Sequence, residues 1–128
     1  MQLKEFDAIK AYARMMNTKN PSHFEPFIAD DIELNSQIQS EPVEGKQKFL
    51  DHMVKTLEKI ADDAPLWAEL GEIPICGRTR PCAVLSQYRQ DNMVVSATID
   101  IGGNKVKRVN LFFIPPPQEA KLTGEIPV

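Results

Sequence analysis

The order of hydrophobic periods along this chain constrains its fold more than any other feature. In residues 3–17, apolar side chains such as Ile9 recur every three or four positions, which predicts an amphipathic helix. Residues 31–39 alternate instead, with Ile32 and Leu34 on one face, which predicts a strand with one buried side. A helix followed by a half-buried strand needs further elements to cover both.

Two more helices are predicted around that strand. Asn20 can cap a helix start, and Pro21 loses no useful donor at the first helical position, so a second helix is expected to run to about residue 29. A third helix is expected after Gly45 and ends near 62–65, because a residue that precedes proline avoids helical angles. Three helical segments therefore precede most of the strands.

After residue 65 the pattern changes to that of strands. The predicted strands are 66–75, 82–90, 93–101 and 105–114, rich in β-branched and aromatic residues. Glycine and asparagine at 102–104 can form a hairpin turn. Helices followed by an antiparallel meander predict the α+β class. Three prolines open residues 115–128, so we expect one domain over 1–114 and then an extended arm that packs on a neighbour or is mobile.

Composition favours a cytoplasmic domain without a cofactor. Of the 128 residues 42% are hydrophobic, and the net charge of −3 lacks the basic footprint of nucleic-acid binding. No apolar run is long enough to span a membrane. Cys76 and Cys82 fit no zinc spacing, so no metal site is expected. Free thiols in a reducing compartment are favoured over a disulfide between them.

Part of the chain resembles a known family. The matching features, in order, are Tyr12 and Asn17, then Ala29-Asp30-Asp31, then Ser40-Glu41-Pro42 and Gly45, and finally Lys105-Val106 and Leu111-Phe112-Phe113. They resemble the ketosteroid isomerase branch of the nuclear-transport-factor-2-like (NTF2-like) superfamily, which includes SnoaL-like polyketide cyclases. The resemblance extends to about residue 114. It implies a cone-shaped, cystatin-like α+β fold with three N-terminal helices packed in a curved antiparallel sheet.

The resemblance also implies three catalytic positions, of which two differ here. Tyr12 stands where the isomerases have a tyrosine that donates a hydrogen bond to the substrate oxygen. Ser36 stands at the position of the general-base aspartate, and a serine hydroxyl with no adjacent base cannot remove a carbon-bound proton at neutral pH. The second acid is replaced by Ala97, with Ser96 as the nearest alternative, and Asp100 is expected on the opposite face. Ketosteroid isomerase activity is therefore not expected.

Apolar residues on the predicted inward faces are expected to line a cavity. They are Met16, Phe27, Leu34, Phe49, Met53, Leu57, Ala97, Ile99, Val109, Leu111 and Phe113. Tyr12 is then either a hydrogen-bond donor at the cavity floor or a tyrosine at the core edge. Ser36 is either a second polar contact or a strand residue that bonds locally.

Two functions from different classes fit these residues. The first is a SnoaL-like protein that binds a small hydrophobic, carbonyl-bearing molecule and that works without a cofactor if it is an isomerase- or cyclase-type enzyme. The second is a non-enzymatic binding or dimerisation module whose pocket is filled by its own side chains. In both cases we expect a homodimer through the sheet face, and neither nucleic acid nor membrane as a partner.

Overall fold

The computed structural model describes residues 2–37, 39–60, 66–87 and 92–128, with the backbone alone at residue 92. The helices are α1 (Glu5–Thr18) and α2 (Lys46–Lys59), with short 3-10 turns at Pro21–His23, Glu25–Phe27 and Pro117–Glu119. The strands are β1 (Ile28–Ser36), β2 (Val43–Glu44), β3 (Leu66–Ile75), β4 (Arg78–Gln87), β5 (Asn92–Gly102), β6 (Lys105–Phe112) and β7 (Lys121–Leu122). Ile38 and the predicted element ends at 62–65 and 88–90 lie outside the described residues.

The two α-helices follow the predicted patterns. Helix α1 has acidic Glu5 and Asp7 in its first turn, where the helix dipole favours negative charge, and it ends where Lys19 adopts a left-handed angle (φ 57°). Helix α2 starts after Gly45, whose φ of 97° suits glycine. Within the described residues, no helix is long and apolar enough to cross a membrane.

The predicted second helix is wrong, because two 3-10 turns take its place. Pro21 opens the first turn and Asn20 caps it, accepting a 3.1 Å hydrogen bond from the Ser22 amide. Pro26 lies in the second turn, and its ring lacks the amide hydrogen that a continuous helix would need. The change of geometry turns Phe24 inward, fully buried, and leaves Phe27 36% exposed. The expectation that Phe27 lines the interior is therefore corrected.

Seven strands form one curved sheet in the order β2-β1-β6-β5-β4-β3-β7. The expectation of a purely antiparallel sheet is wrong, because β1 and β6 run parallel, with Leu34 opposite Val109 and Ser36 opposite Leu111. These strands are far apart in the chain, so no tight hairpin forces them to be antiparallel. The other pairs are antiparallel.

Strand β4 begins four residues earlier than predicted. The reason is a tight turn in which Cys76 and Gly77 both have positive φ, 51° and 79°. Turns with two positive φ values match the twist of the flanking strands and join them over two residues. As a result β3 and β4 pair along their whole length, from Leu66 opposite Gln87 to Ile75 opposite Arg78.

The sheet has two differently covered faces, which we call the inner and the outer face. Alternate residues of β4 and β5, including Ala83, Leu85 and Ala97, join the main core beneath α1 and α2. Cys82 and Val84 belong to a second cluster on the opposite side. The inner face is therefore the one that the helices cover, and it is the face on which a cavity was expected.

The C-terminal segment lies on the outer face and at the sheet edge. Ala120 and Leu122 pack against the second cluster, formed by Ile73, Cys82, Val84 and Phe112. Strand β7 then pairs with β3, Leu122 opposite Gly71. The C-terminal arm, expected to pack on a neighbour or to be mobile, thus packs on its own domain as an edge strand. It joins the sheet only after the prolines, because prolines lack the amide hydrogen that sheet pairing needs.

Candidate functional site

Most residues expected to line a cavity converge on the inner face. Nine are buried or nearly so in one cluster: Tyr12, Met16, Leu34, Phe49, Met53, Leu57, Ala97, Ile99 and Val109. Leu111 and Phe113 are partly buried and pack against it. The interior predicted from the sequence is therefore one contiguous apolar region between α1, α2 and the sheet.

Tyr12 lies within this region, with 2% of its surface exposed. Its ring packs edge-on against Phe24, with ring centroids 5.7 Å apart, and Phe24 in turn lies 6.1 Å from Phe49. Burial raises the pKa of the Tyr12 phenol well above its usual range. The hydroxyl therefore keeps its proton at physiological pH and can act only as a neutral donor or acceptor.

No hydrogen bond of the Tyr12 hydroxyl is seen among the described residues. In that part of the chain the fully buried side-chain polar atom without a partner is Ser96 Oγ, so the Tyr12 oxygen is not completely buried. As a neutral phenol it could donate a hydrogen bond to a molecule that enters the region.

Ser36 lies at the rim of the apolar region. It is the last residue of β1, it is half-buried, and two positions before it Leu34 is fully inside. Successive side chains alternate across a strand, so Ser36 shares the face of Leu34. A hydroxyl here can contact a ligand at the edge of the region but has no carboxylate chemistry to offer.

Ala97, which the resemblance places at the position of the second acid, carries no acidic group. Ala97 is fully buried in the main core. Ser96 lies on the outer face, opposite Val84 and Phe112, and its buried Oγ has no hydrogen-bond partner among the described residues. Asp100 also points outward, as expected, and accepts hydrogen bonds from Arg80 (2.9 Å) and Asn110 (3.0 Å).

Asp100 is part of a row of charges that crosses the outer face. Arg80 also contacts Glu5 at 3.1 Å, and Arg108 lies 3.8 Å from Asp100 and 3.4 Å from Glu33. Burial of Asp100 opposes its ionisation, but hydrogen bonds from Asn110 and Arg80 and the two arginine charges outweigh burial and lower its pKa. The row lies outside the apolar region and is not part of the candidate site.

We expect Asp100→Asn to flatten the acid side of the pH–stability curve. Because the folded pKa of Asp100 lies below its unfolded value of about 3.9, its carboxylate stabilises the fold above that pH, and the effect is lost as pH falls through the folded pKa. The group is partly exposed, so the variant should lose only about 0.5–1 kcal/mol at pH 7. Thermal melts from pH 7 to pH 3 measure this.

Glu58→Gln is the control, since Glu58 is exposed on α2 and joins none of the ion pairs seen among the described residues. Its curve should stay parallel to that of the parent. A parallel curve for Asp100→Asn as well would contradict the ion-pair explanation.

Three polar residues have roles that their sequence pattern does not reveal. Gln37 accepts hydrogen bonds from the Phe113 and Ile114 amides at 2.6 and 3.1 Å. Asn17 bonds both backbone groups of Ala68 and the carbonyl of Pro127, and buried Glu69 accepts the amide of Gly124. Because these partners are distant in the chain, no local signal could identify them.

The described residues contain no group of three or more histidine, cysteine, aspartate or glutamate side chains that could hold a metal ion. Phe27 lines a shallow surface depression together with Leu3 and Pro26, away from the inner face. The candidate site is therefore the apolar region around the Tyr12 phenol.

Comparison with family models and with curated proteins gives no match. Solved structures do match. A candidate polyketide cyclase from Sinorhizobium meliloti is 14% identical, with a TM-score of 0.59 over 82% of this chain and 93% of that one. A candidate ketosteroid isomerase from Kribbella flavida is 14% identical, with a TM-score of 0.59 over 84% and 76%. An NTF2-like protein of unknown function from Cytophaga hutchinsonii is 11% identical, with a TM-score of 0.60 over 90% and 96%.

At such low identity a structural likeness establishes the fold and leaves the activity open, since one fold hosts many functions. The likeness confirms the fold that the resemblance implied. The chain has the NTF2-like fold.

Proposed function

We propose that this protein binds a small hydrophobic molecule in the apolar region between α1, α2 and the inner face of the sheet. The observation that carries the proposal is the Tyr12 phenol, which lies within the apolar region and forms no hydrogen bond with another described residue. A ligand carbonyl would be its natural acceptor, and Ser36 at the rim would be the second polar contact. A mostly apolar pocket with a few polar groups is the usual form of a small-molecule site.

If the protein is an enzyme, its chemistry is of the isomerase or cyclase type, in which a neutral phenol stabilises negative charge on a carbonyl oxygen. This part of the proposal rests on the fold shared with the candidate cyclases and isomerase. Ser36 and Ala97 offer neither a base nor a second acid, so proton abstraction of the ketosteroid isomerase kind is not proposed.

A second function, a non-enzymatic module, is favoured by one observation. The rings of Tyr12, Phe24 and Phe49 contact one another in series across the region. Side chains that fill the interior in this way leave less room for a ligand. In that case the protein would act through its surface, as a dimer formed through the sheet face. Under both functions a cytoplasmic location is part of the proposal.

We expect Tyr12→Phe to weaken ligand binding by about 1 kcal/mol or more, roughly fivefold, because a buried ligand acceptor would lose its donor. The ligand is first found by thermal-shift screening of steroids, aromatic polyketides and terpenoids, since a bound ligand raises the melting temperature by mass action. Affinities of parent and variant are then compared by calorimetry.

Ser36→Ala is the companion variant and should have a smaller effect, because Ser36 lies at the rim. A screen in which no compound raises the melting temperature would favour the non-enzymatic module. A ligand that binds the parent and Tyr12→Phe equally well would remove Tyr12 from the site.

A further inference from the structure

The C-terminal segment, residues 116–127, is held by groups that are remote in the chain. The Thr123 amide bonds the Leu70 carbonyl and the Leu70 amide bonds the Glu125 carbonyl, both at 2.9 Å. Together with the pairing of Leu122 opposite Gly71, these bonds continue the sheet by one short strand. Docking is therefore largely a matter of backbone hydrogen bonds at an exposed edge, as in strand addition by a peptide.

Side chains of the domain complete the docking site. Buried Glu69 accepts the Gly124 amide at 3.0 Å, 55 positions away, and Asn17 donates to the Pro127 carbonyl at 2.7 Å, 110 positions away. Lys10 and Glu125 form an ion pair at 3.0 Å. These groups would hold the same segment equally well if it came from another copy of the chain.

The connection to the docked segment is short and weakly held. Gln37 fixes the backbone of residues 113 and 114, and the 3-10 turn begins at Pro117. Between them, Pro115 forms no hydrogen bond in the described part of the chain. Proline has no amide hydrogen, and the backbone bonds that the Pro116 and Pro117 carbonyls accept from Glu119 and Ala120 lie within the docked segment. A change of direction at Pro115 therefore leaves those bonds intact.

We propose that the β3 edge and the outer-face cluster also accept residues 116–127 of a second copy, which produces a dimer with exchanged C-terminal segments. In the exchanged dimer every contact described above is kept, but it forms between two chains instead of within one. For this reason, swapping an identical element is a low-cost route to dimers. The cost is the entropy of association, so the exchanged dimer should increase with protein concentration.

The test uses two single-cysteine variants of the full chain, Lys10→Cys and Glu125→Cys, each with Cys76→Ser to remove the exposed thiol. Burial, and then the charge of Glu72, raise the pKa of the remaining Cys82 to about 12, so that thiol stays protonated and unreactive. The two variants are unfolded, mixed, refolded at several concentrations and treated with a short bifunctional maleimide. A link between residues 10 and 125 can then form only between chains.

We expect a cross-linked dimer on a denaturing gel whose share rises with the refolding concentration. A control chain that carries both Lys10→Cys and Glu125→Cys shows whether the C-terminal segment docks on the domain at all. If it links only within one chain while the mixture gives no dimer at any concentration, the segment stays on its own domain and the proposal fails. No link in either sample would also overturn it.

Gly71→Ala gives a matched control within the docking site. A Cβ atom at Gly71 would lie 2.9 Å from the Lys121 carbonyl oxygen, which is backbone and cannot move aside easily. At Gly102 the same atom would meet only the flexible Lys107 side chain. The cross-linked dimer should therefore decrease in Gly71→Ala and persist in Gly102→Ala, and equal yields in the two would contradict the assigned edge.

Discussion

Phe24→Ala is expected to destabilise the fold by about 3–5 kcal/mol, the usual cost of removing a buried aromatic ring. Phe24 is fully buried and contacts the rings of Tyr12 and Phe49, so its loss leaves a void between α1 and α2. The free energy of unfolding from urea denaturation measures the effect. A domain of this size has about 5–15 kcal/mol in total, so the loss is a large fraction of the stability.

Phe27→Ala is the matched control, because Phe27 is three residues away, in the adjacent 3-10 turn, and 36% exposed. It should cost well under half as much. If Phe24→Ala fails to fold, Phe24→Leu, which keeps most of the volume, should still show a loss of about 1–2 kcal/mol. Equal losses for Phe24→Ala and Phe27→Ala would show that the two short turns are placed wrongly and that a regular helix occupies this segment.

Asn17→Ala is expected to cost roughly 2–4 kcal/mol, because it leaves several part-buried backbone groups without partners. The Asn17 amide donates to the carbonyls of Ala68 and Pro127 at 2.9 and 2.7 Å, and its oxygen accepts the Ala68 amide at 2.7 Å. It therefore binds the β3 edge as a neighbouring strand would, and also holds the chain end. The free energy of unfolding and amide hydrogen exchange both report the change.

Hydrogen exchange separates this role from a general loss of stability. The amides of Leu70 and Thr123, which join the C-terminal segment to β3, should exchange faster in Asn17→Ala than amides in the β5–β6 pair. Thr18→Ala is the control, because Thr18 is exposed and its hydroxyl donates to the Arg14 carbonyl within α1. Uniform acceleration of all amides, or a loss no larger than that of Thr18→Ala, would contradict the bridging role.

The spacing of apolar residues predicted the helices and strands that depend mainly on neighbouring residues. Helix α1, helix α2 and strand β1 follow from the spacing of their apolar residues, although β1 begins and ends three residues before the predicted bounds of 31 and 39. The second helix was wrong because Pro26 permits two different local structures, and packing of Phe24 decides between them. The early start of β4 was missed because Cys76 is not a residue typical of positive φ.

The candidate site was likewise predictable from the sequence only in part. Period and family position together suggested that Tyr12 faces inward, and the sequence pattern suggested the apolar residues around it, with Phe27 the exception. The direction of β1 beside β6 was not predictable, because strand pairing between distant segments depends on which arrangement buries the most apolar surface. The same holds for the docking of the C-terminal segment.

By itself, the sequence determined the class of this fold and the buried faces of α1, α2 and β1. Each of these properties belongs to a residue and its near neighbours. The tertiary structure alone decided that Asn17 and Glu69 hold the chain end and that Asp100 joins an outer row of charges. Such contacts join residues tens of positions apart, and their hydrogen bonds form only after the hydrophobic core has brought those positions together.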